Sequence, residues 1–187
     1  MIRPRLIGRK VYLRPLEIED IGAGWHDWIN DPVANVNLIN PWPQTRESMA
    51  RYLAESQPPN TAMFAICDKE TDRYFGNARL SQIDWIHRTC LYGRLIGIKE
   101  YRGKGYGTDA LIALFRFGFH TLGLNRIWST AWIGNKISLA SNDKVGMTRE
   151  GIMRQAVFKS GQFHDTVILS MLREDFDRLH GEPDARP

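Results

Sequence analysis

Between residues 61 and 98 apolar and polar positions alternate in three runs, TAMFAIC, YFGNARLSQIDW and CLYGRLIGI, separated by the polar turns DKETDR and IHRT. Period-two alternation bounded by short polar turns predicts strands, and three in succession predict an antiparallel meander. An earlier strand is expected over residues 11–16, extended upstream by the alternation of LIGRKVYLRPL. EIEDIGAGWHDWIND then reads as a short helix ending before Pro32, because proline disfavours the helical conformation in the residue before it. VNLINPWPQ is a loop, and Thr45 is the expected N-cap of a helix that runs to about Ser56, with Glu47 in its first turn and QPPN as its stop.

Past residue 105 the period lengthens. A strongly apolar helix is expected from about Tyr106 to Leu122, broken at Gly123, and NRIWSTAWI follows as a strand. NKISLASNDKVG is a short helix with Asn135 as N-cap and Gly146 as C-terminal stop. MTREGIMRQAVF and QFHDTVILSML are two strands around the turn KSGQ, and REDFDRLHGEPDARP closes as a short helix and a frayed tail. The order is α/β of the mixed, α+β kind: a meander, a helix, a strand, a helix and a hairpin, about seven strands in all.

At 187 residues the chain suits a single domain, residues 1–187, with a core over about 8–175 and a C-terminal tail over 176–187. Hydrophobic residues at 43% and charged residues at 25% are ordinary for a soluble globular protein. The net charge of +4 mildly favours anionic ligands, yet Lys and Arg are spread along the chain, so no nucleic-acid partner is expected. No apolar run is long enough to span a bilayer, and MIRPRLIGRKVYLRPL lacks the apolar stretch of a secretory signal. Cys67 and Cys90 form no CxxC pair and read as reduced core thiols, which points to the cytoplasm. With five scattered histidines they offer no metal-ligand spacing, and no metal is expected.

The segment EYRGKGYGTDAL sets Gly103, Gly105 and Gly107 around Lys104 and Tyr106, with Arg102 just before, between a strand and the apolar helix. Such a junction aims unpaired N–H groups and the positive end of the helix dipole at one point, and the glycines let a phosphate approach the backbone. The pattern is not GxxxxGK[ST], and GxGxG after a meander is not the dinucleotide fingerprint GxGxxG. On local grounds the loop is either an anion cradle or only a tight strand-to-helix turn.

Arg102, Gly105 and Gly107 fit Arg/Gln-x-x-Gly-x-Gly/Ala, and LGLNRIWSTAW, Asn135, Ser138 and KVGMTREGIMRQAVFKSGQFHD follow in order. With YLRPLEIEDI and WINDP near the start, essentially the whole chain resembles the GNAT superfamily of acetyl-CoA-dependent N-acetyltransferases. Within it the chain is similar to the subgroup of ribosomal-protein N-terminal acetyltransferases and their amino-sugar and polyamine relatives. The resemblance implies a twisted, mostly antiparallel mixed sheet flanked by helices and splayed between the fourth and fifth predicted strands. It implies acetyl-CoA as donor and a primary amine as acceptor: a protein N-terminus, an amino sugar or another small amine. A non-catalytic acyl-CoA-binding domain is the other reading, and a homodimer is compatible with the resemblance.

Carried over residue by residue, the resemblance implies that the backbone of Arg102, Gly103, Lys104, Gly105, Tyr106, Gly107 and Thr108 holds the pyrophosphate. Ile96, Gly97 and Ile98 would run beside the pantetheine arm, with an N–H near Ile98 as oxyanion donor, and Asn135 would face the arm. Ser138 is the candidate beside the thiol. Many members use a tyrosine further along that helix, where this chain has Asn142. Some relatives carry a glutamate about ten residues before the signature arginine; the count reaches Tyr92, kept as a catalytic candidate. Asp84 and Trp42 are candidates for the acceptor side, and Asp165 either orients the terminal hairpin or helps to bind the acceptor. His87 is a further titratable group, and Cys90, Trp25, Trp28, Trp85, Trp128 and Trp132 read as packing.

Overall fold

The structure is a computed structural model that describes residues 6–32 and 42–181. Eight strands form one sheet: β1 (Leu6–Ile7), β2 (Val11–Pro15), β3 (Ala62–Asp68), β4 (Tyr74–Asp84), β5 (Thr89–Ile96), β6 (Arg126–Trp132), β7 (Thr148–Lys159) and β8 (Gln162–Leu172). Their order is β1-β2-β3-β4-β5-β6-β8-β7. The helices are α1 (His26–Asn30), α2 (Arg46–Glu55), α3 (Tyr106–Arg116), α4 (Lys136–Val145) and α5 (Arg173–His180).

The predicted meander is β3, β4 and β5, antiparallel throughout. The expected seven strands gain β1, because the first alternating run is not one strand. It folds at Gly8–Lys10 into a hairpin in which Leu6 pairs with Leu13 and Ile7 with Tyr12. The helix expected over residues 17–31 also shortens. A wide turn at Ile21–Trp25 contains Gly24 at φ 145°, and only α1 is regular after it. The apolar helix after the glycine loop is regular to Arg116 and then widens over Phe117–Thr121.

Cap signals are used as the sequence suggests. Thr45 accepts from the Ser48 N–H, and the Ser48 hydroxyl in turn accepts from the Thr45 N–H. Asn135 caps α4 by accepting from the Ser138 N–H at 3.0 Å, and Gly146 ends it in the left-handed conformation at φ 94°.

Alternation gives the sheet two faces. On one, Phe75, Leu80, Cys90, Tyr92, Ile127 and Leu169 pack against α3, α4 and α5. On the other, Tyr12, Ala65 and Cys67 pack with Trp25, Met49 and Leu53, so the N-terminal turn and α2 cover only the β2–β5 half. Phe176, on α5, is fully buried in the first cluster, which carries the core past the expected boundary at 175. The opposite face of β6 carries Trp128, Thr130 and Trp132, since Ile127 and Ala131 point to the helices.

Candidate active site

β5 and β6 form the one parallel pair among the described strands. They pair only at Thr89–Arg126, Cys90–Ile127 and Leu91–Trp128. Beyond Leu91 the two strands diverge, which opens a wedge along residues 92–98 and 129–135. Both strands run into helices at the open end, α3 after β5 and α4 after β6. A parallel sheet that opens between strand C-termini, with helix N-termini above, is a binding crevice by construction.

The glycine loop closes the mouth of this wedge. Gly103 and Gly105 sit at φ 74° and 86°, a region that side-chain-bearing residues rarely adopt, and a Cβ on either would meet nothing within 4 Å. They are therefore required for backbone conformation, not for space. Gly105 is the N-cap of α3 and no side chain caps it, so the first N–H groups of the helix are left for a ligand. Tyr106 contributes backbone only: its ring packs edge-on against Phe75 and Tyr101.

The Arg102 backbone N–H is taken by the Lys99 carbonyl at 3.0 Å, and its side chain is engaged as well. Its guanidinium turns back to donate to the carbonyls of Ile96 at 3.0 Å and Gly97 at 2.9 Å, bracing the loop against the end of β5. The oxyanion donor also moves. The N–H groups of Gly97 and Ile98 both point to the Phe75 carbonyl of β4, at 2.9 and 3.4 Å, away from the wedge. In an antiparallel pair successive residues face alternate sides, so the N–H that faces the wedge is that of Ile96.

On the α4 side, Ser138 is half-buried and its hydroxyl makes no hydrogen bond among the described residues. Asn135 accepts the cap bond through its side-chain oxygen at the wedge end of α4. The opposite wall holds Trp28, whose ring lies flat on the Gly97 backbone: a Cβ on Gly97 would stand 1.9 Å from it. It also packs on Tyr74 with centroids 4.8 Å apart.

Tyr92 and Asp84 fall elsewhere. Tyr92 is buried, packs edge-on against Phe115, and donates its hydroxyl to Asn142; burial raises its pKa. It is a core residue, because its position on β5 points to the helices. Asp84 accepts from the N–H groups of Ile86 at 2.9 Å and His87 at 2.8 Å, closing the β4–β5 turn at the end of β5 remote from the wedge. Those bonds lower its pKa and leave both Asp84 and His87 outside the site. Asp165, whose carbonyl accepts from the Ile133 N–H at 3.0 Å at the open end of β6, accepts through its carboxylate from the Gln155 N–H at 2.8 Å and so fixes a bulge in β7. Trp42 stands 74% exposed beside α2. Cys67 and Cys90 are free and buried, and burial pushes the Cys90 thiol up to about 12, so it is no nucleophile.

Sequence reasoning passed over Arg94 and Ser141. Arg94 Nη1 donates to the Gly107 carbonyl at 2.6 Å and to Ser141 Oγ at 3.0 Å, and Thr108 Oγ1 lies 3.2 Å from Ser141 Oγ. A signal was present: Cys90, Tyr92, Arg94 and Ile96 share the inward face of β5, so Arg94 is a charge set where apolar side chains belong.

Among the described residues no group of three or more His, Cys, Asp or Glu side chains could hold a metal ion. No helix among them is long and apolar enough to cross a membrane.

Residues 10–148 match the family described as acetyltransferase (GNAT) domain. The chain is 25% identical to the spermidine N(1)-acetyltransferase of Escherichia coli K12, over 92% of this chain and 91% of that one. It is 33% identical to a putative ribosomal N-acetyltransferase of Bacillus subtilis, YdaF, over 54% of this chain and 55% of that one. Its fold is similar to that of spermidine N-acetyltransferase from Vibrio cholerae, solved in complex with CoA and spermine. The TM-score is 0.82 at 19% identity, with 89% of this chain and 98% of that one covered. With the splayed strands and the uncapped glycine loop, the match over most of its length shows that the chain belongs to the GNAT acetyltransferase family and is an N-acetyltransferase that uses acetyl-CoA as donor.

Proposed function

We propose that the protein transfers the acetyl group by direct attack of a primary amine that approaches from the sheet face opposite α3 and α4. The observation that carries this is the wedge itself: the uncapped N-terminus of α3 at its mouth and an open sheet face on its far side. The N–H groups at 105–108 hold the pyrophosphate, and the backbone of residues 94–97 runs beside the pantetheine arm. The Ile96 N–H stands at the thioester carbonyl and stabilises the oxyanion as it forms. The neutral amine nitrogen attacks the carbonyl carbon, the carbon–sulfur bond breaks, and the thiolate takes the proton that the nitrogen gives up as it becomes an amide. The Ser138 hydroxyl, without a hydrogen bond among the described residues, hydrogen-bonds the sulfur or relays that proton through water. Holding both reactants on the two sides of one wedge supplies much of the acceleration.

For the acceptor, the open face offers Trp28, Trp128, Thr130 and Trp132. Two carboxylates of the β7–β8 hairpin are already engaged, Glu150 by Arg126 and Ser170, and Asp165 by the Gln155 N–H. A surface of indole rings and hydroxyls suits an amino sugar or a peptide N-terminus better than a polyamine, whose several ammonium groups call for free carboxylates. Thiol release from acetyl-CoA, measured across peptides, amino sugars and polyamines, tests both levels. Release with the first two classes above that with polyamines is expected. Highest release with polyamines overturns the acceptor class, and no release with any amine overturns the transfer.

A further inference from the structure

Among the described residues Arg94 is a cation without a counter-ion, set beside the first turn of α3. Arg14, Arg126, Arg149, Arg173 and Arg178 each pair with a carboxylate. Arg94 pairs with none among the described residues; its two hydrogen bonds both use Nη1 and both go to neutral oxygens. Nε and Nη2 make no hydrogen bond there. The residue is half-buried between β5, the first turn of α3 and α4, and desolvation of the guanidinium pulls its pKa down. An enclosed charge without its opposite is destabilising unless one arrives.

The surroundings say where that opposite charge would sit. Gly107, which Arg94 touches, is the second residue of α3, inside the turn whose free N–H groups face the loop. A Cβ on Gly107 would come within 2.9 Å of Arg94 Nη1, so the absence of a side chain there gives the guanidinium its position. The Thr108–Ser141 contact closes α3 onto α4 around it.

We propose that Arg94 is a binding residue for the phosphate chain of the acyl-CoA donor, gripping it from the floor of the wedge while the loop amides hold it from the rim. This rests on the reading of the loop as the pyrophosphate cradle. A lasting dianion offsets a lasting, half-buried cation, whereas a leaving thiolate does so only in passing. The Gly107 contact, moreover, sets the guanidinium at the phosphate end of the wedge.

The test is titration calorimetry of CoA and of reduced pantetheine, which lacks the phosphates, on the wild type, Arg94→Met and Arg94→Lys, with thermal unfolding of each ligand-free protein. The wild type should bind CoA far more tightly than pantetheine. Arg94→Met should lose roughly 30-fold or more in CoA affinity, the range for removing one partner of a buried hydrogen-bonded charge pair, with pantetheine affinity unchanged. Arg94→Lys should fall between, and it keeps the test alive if the methionine variant does not fold. The ligand-free melting temperature of Arg94→Met should hold or rise, because an uncompensated charge is gone.

Equal losses for CoA and pantetheine would overturn the proposal by placing the guanidinium on the arm or thioester. Unchanged CoA affinity with a lowered melting temperature would make Arg94 only a brace between α3 and α4. Equal wild-type affinity for the two ligands would instead refute the cradle itself, and Arg94's role with it.

Discussion

Asp109, in the first turn of α3, holds the N-terminal hairpin to the donor site, and its removal gives the sharpest test of how the loop is supported. Its carboxylate accepts from three consecutive backbone N–H groups, those of Arg9 at 2.9 Å, Lys10 at 2.7 Å and Val11 at 3.1 Å. In Asp109→Ala the first two amides regain water, so each lost bond costs about 0.5–1.5 kcal/mol. Val11 is fully buried, and its orphaned N–H costs about 1–3 kcal/mol more. The sum is about 2–6 kcal/mol, of which the better helix propensity of alanine returns roughly 0.5. For a chain of this size each kcal/mol lowers the melting temperature by about 2–4 °C.

Gly8 supplies a control. A Cβ there would stand 2.4 Å from Asp109 Oδ2, so Gly8→Ala should destabilise the wild type and be nearly neutral once Asp109 is alanine. Urea denaturation of both single variants and the double variant reads this as a coupling above about 1 kcal/mol. Strict additivity, or an Asp109→Ala effect under about 0.5 kcal/mol, would refute the clamp.

Other outcomes bear on the site and on the sheet. Gly105→Val forces a branched residue into φ 86°, with strain of about 1–2 kcal/mol, and should sharply weaken CoA binding; an unchanged calorimetric affinity would remove the loop from the donor site. Ser138→Ala should lower kcat more than it raises KM for acetyl-CoA, and wild-type kinetics would leave Ser138 a packing residue. Glu150 is held down at about 2, below its ordinary 4.5, first by the Arg126 hydrogen bonds and then by Ser170. A depressed folded pKa contributes stability that is complete above about 4.5 and is lost as pH falls towards 2. Glu150→Gln should flatten the stability profile across that window, and an unaltered acid limb in pH-dependent unfolding would show that the ion pair is spent on solvent.

The element types were legible because they depend on neighbours in the chain. Alternation marks β3, β4 and β5, Thr45 and Asn135 announce the starts of α2 and α4, and three glycines in five positions announce the loop. Even here local reading ran two strands together across Gly8–Lys10, since alternation continues through a hairpin whose turn is set by contacts elsewhere. What fixes that turn is Asp109, about a hundred residues away.

The glycine loop likewise lay in the sequence as a possible anion site, because glycines write backbone conformation locally, whereas the donor was legible only through the resemblance of the whole chain to a family. Which side chains face the ligand was not. Tyr92 joins Asn142, Arg94 joins Gly107 and Ser141, and Arg102 turns back to Ile96 and Gly97, contacts that depend on sheet register and on where β5 and β6 part. A shift of one residue reverses the face of every side chain on a strand. The chain thus encodes the glycine loop by itself, while only the assembled sheet decides which residues lie beside that loop, as Arg94 does against Gly107, and which, like Tyr92, are sealed in the core.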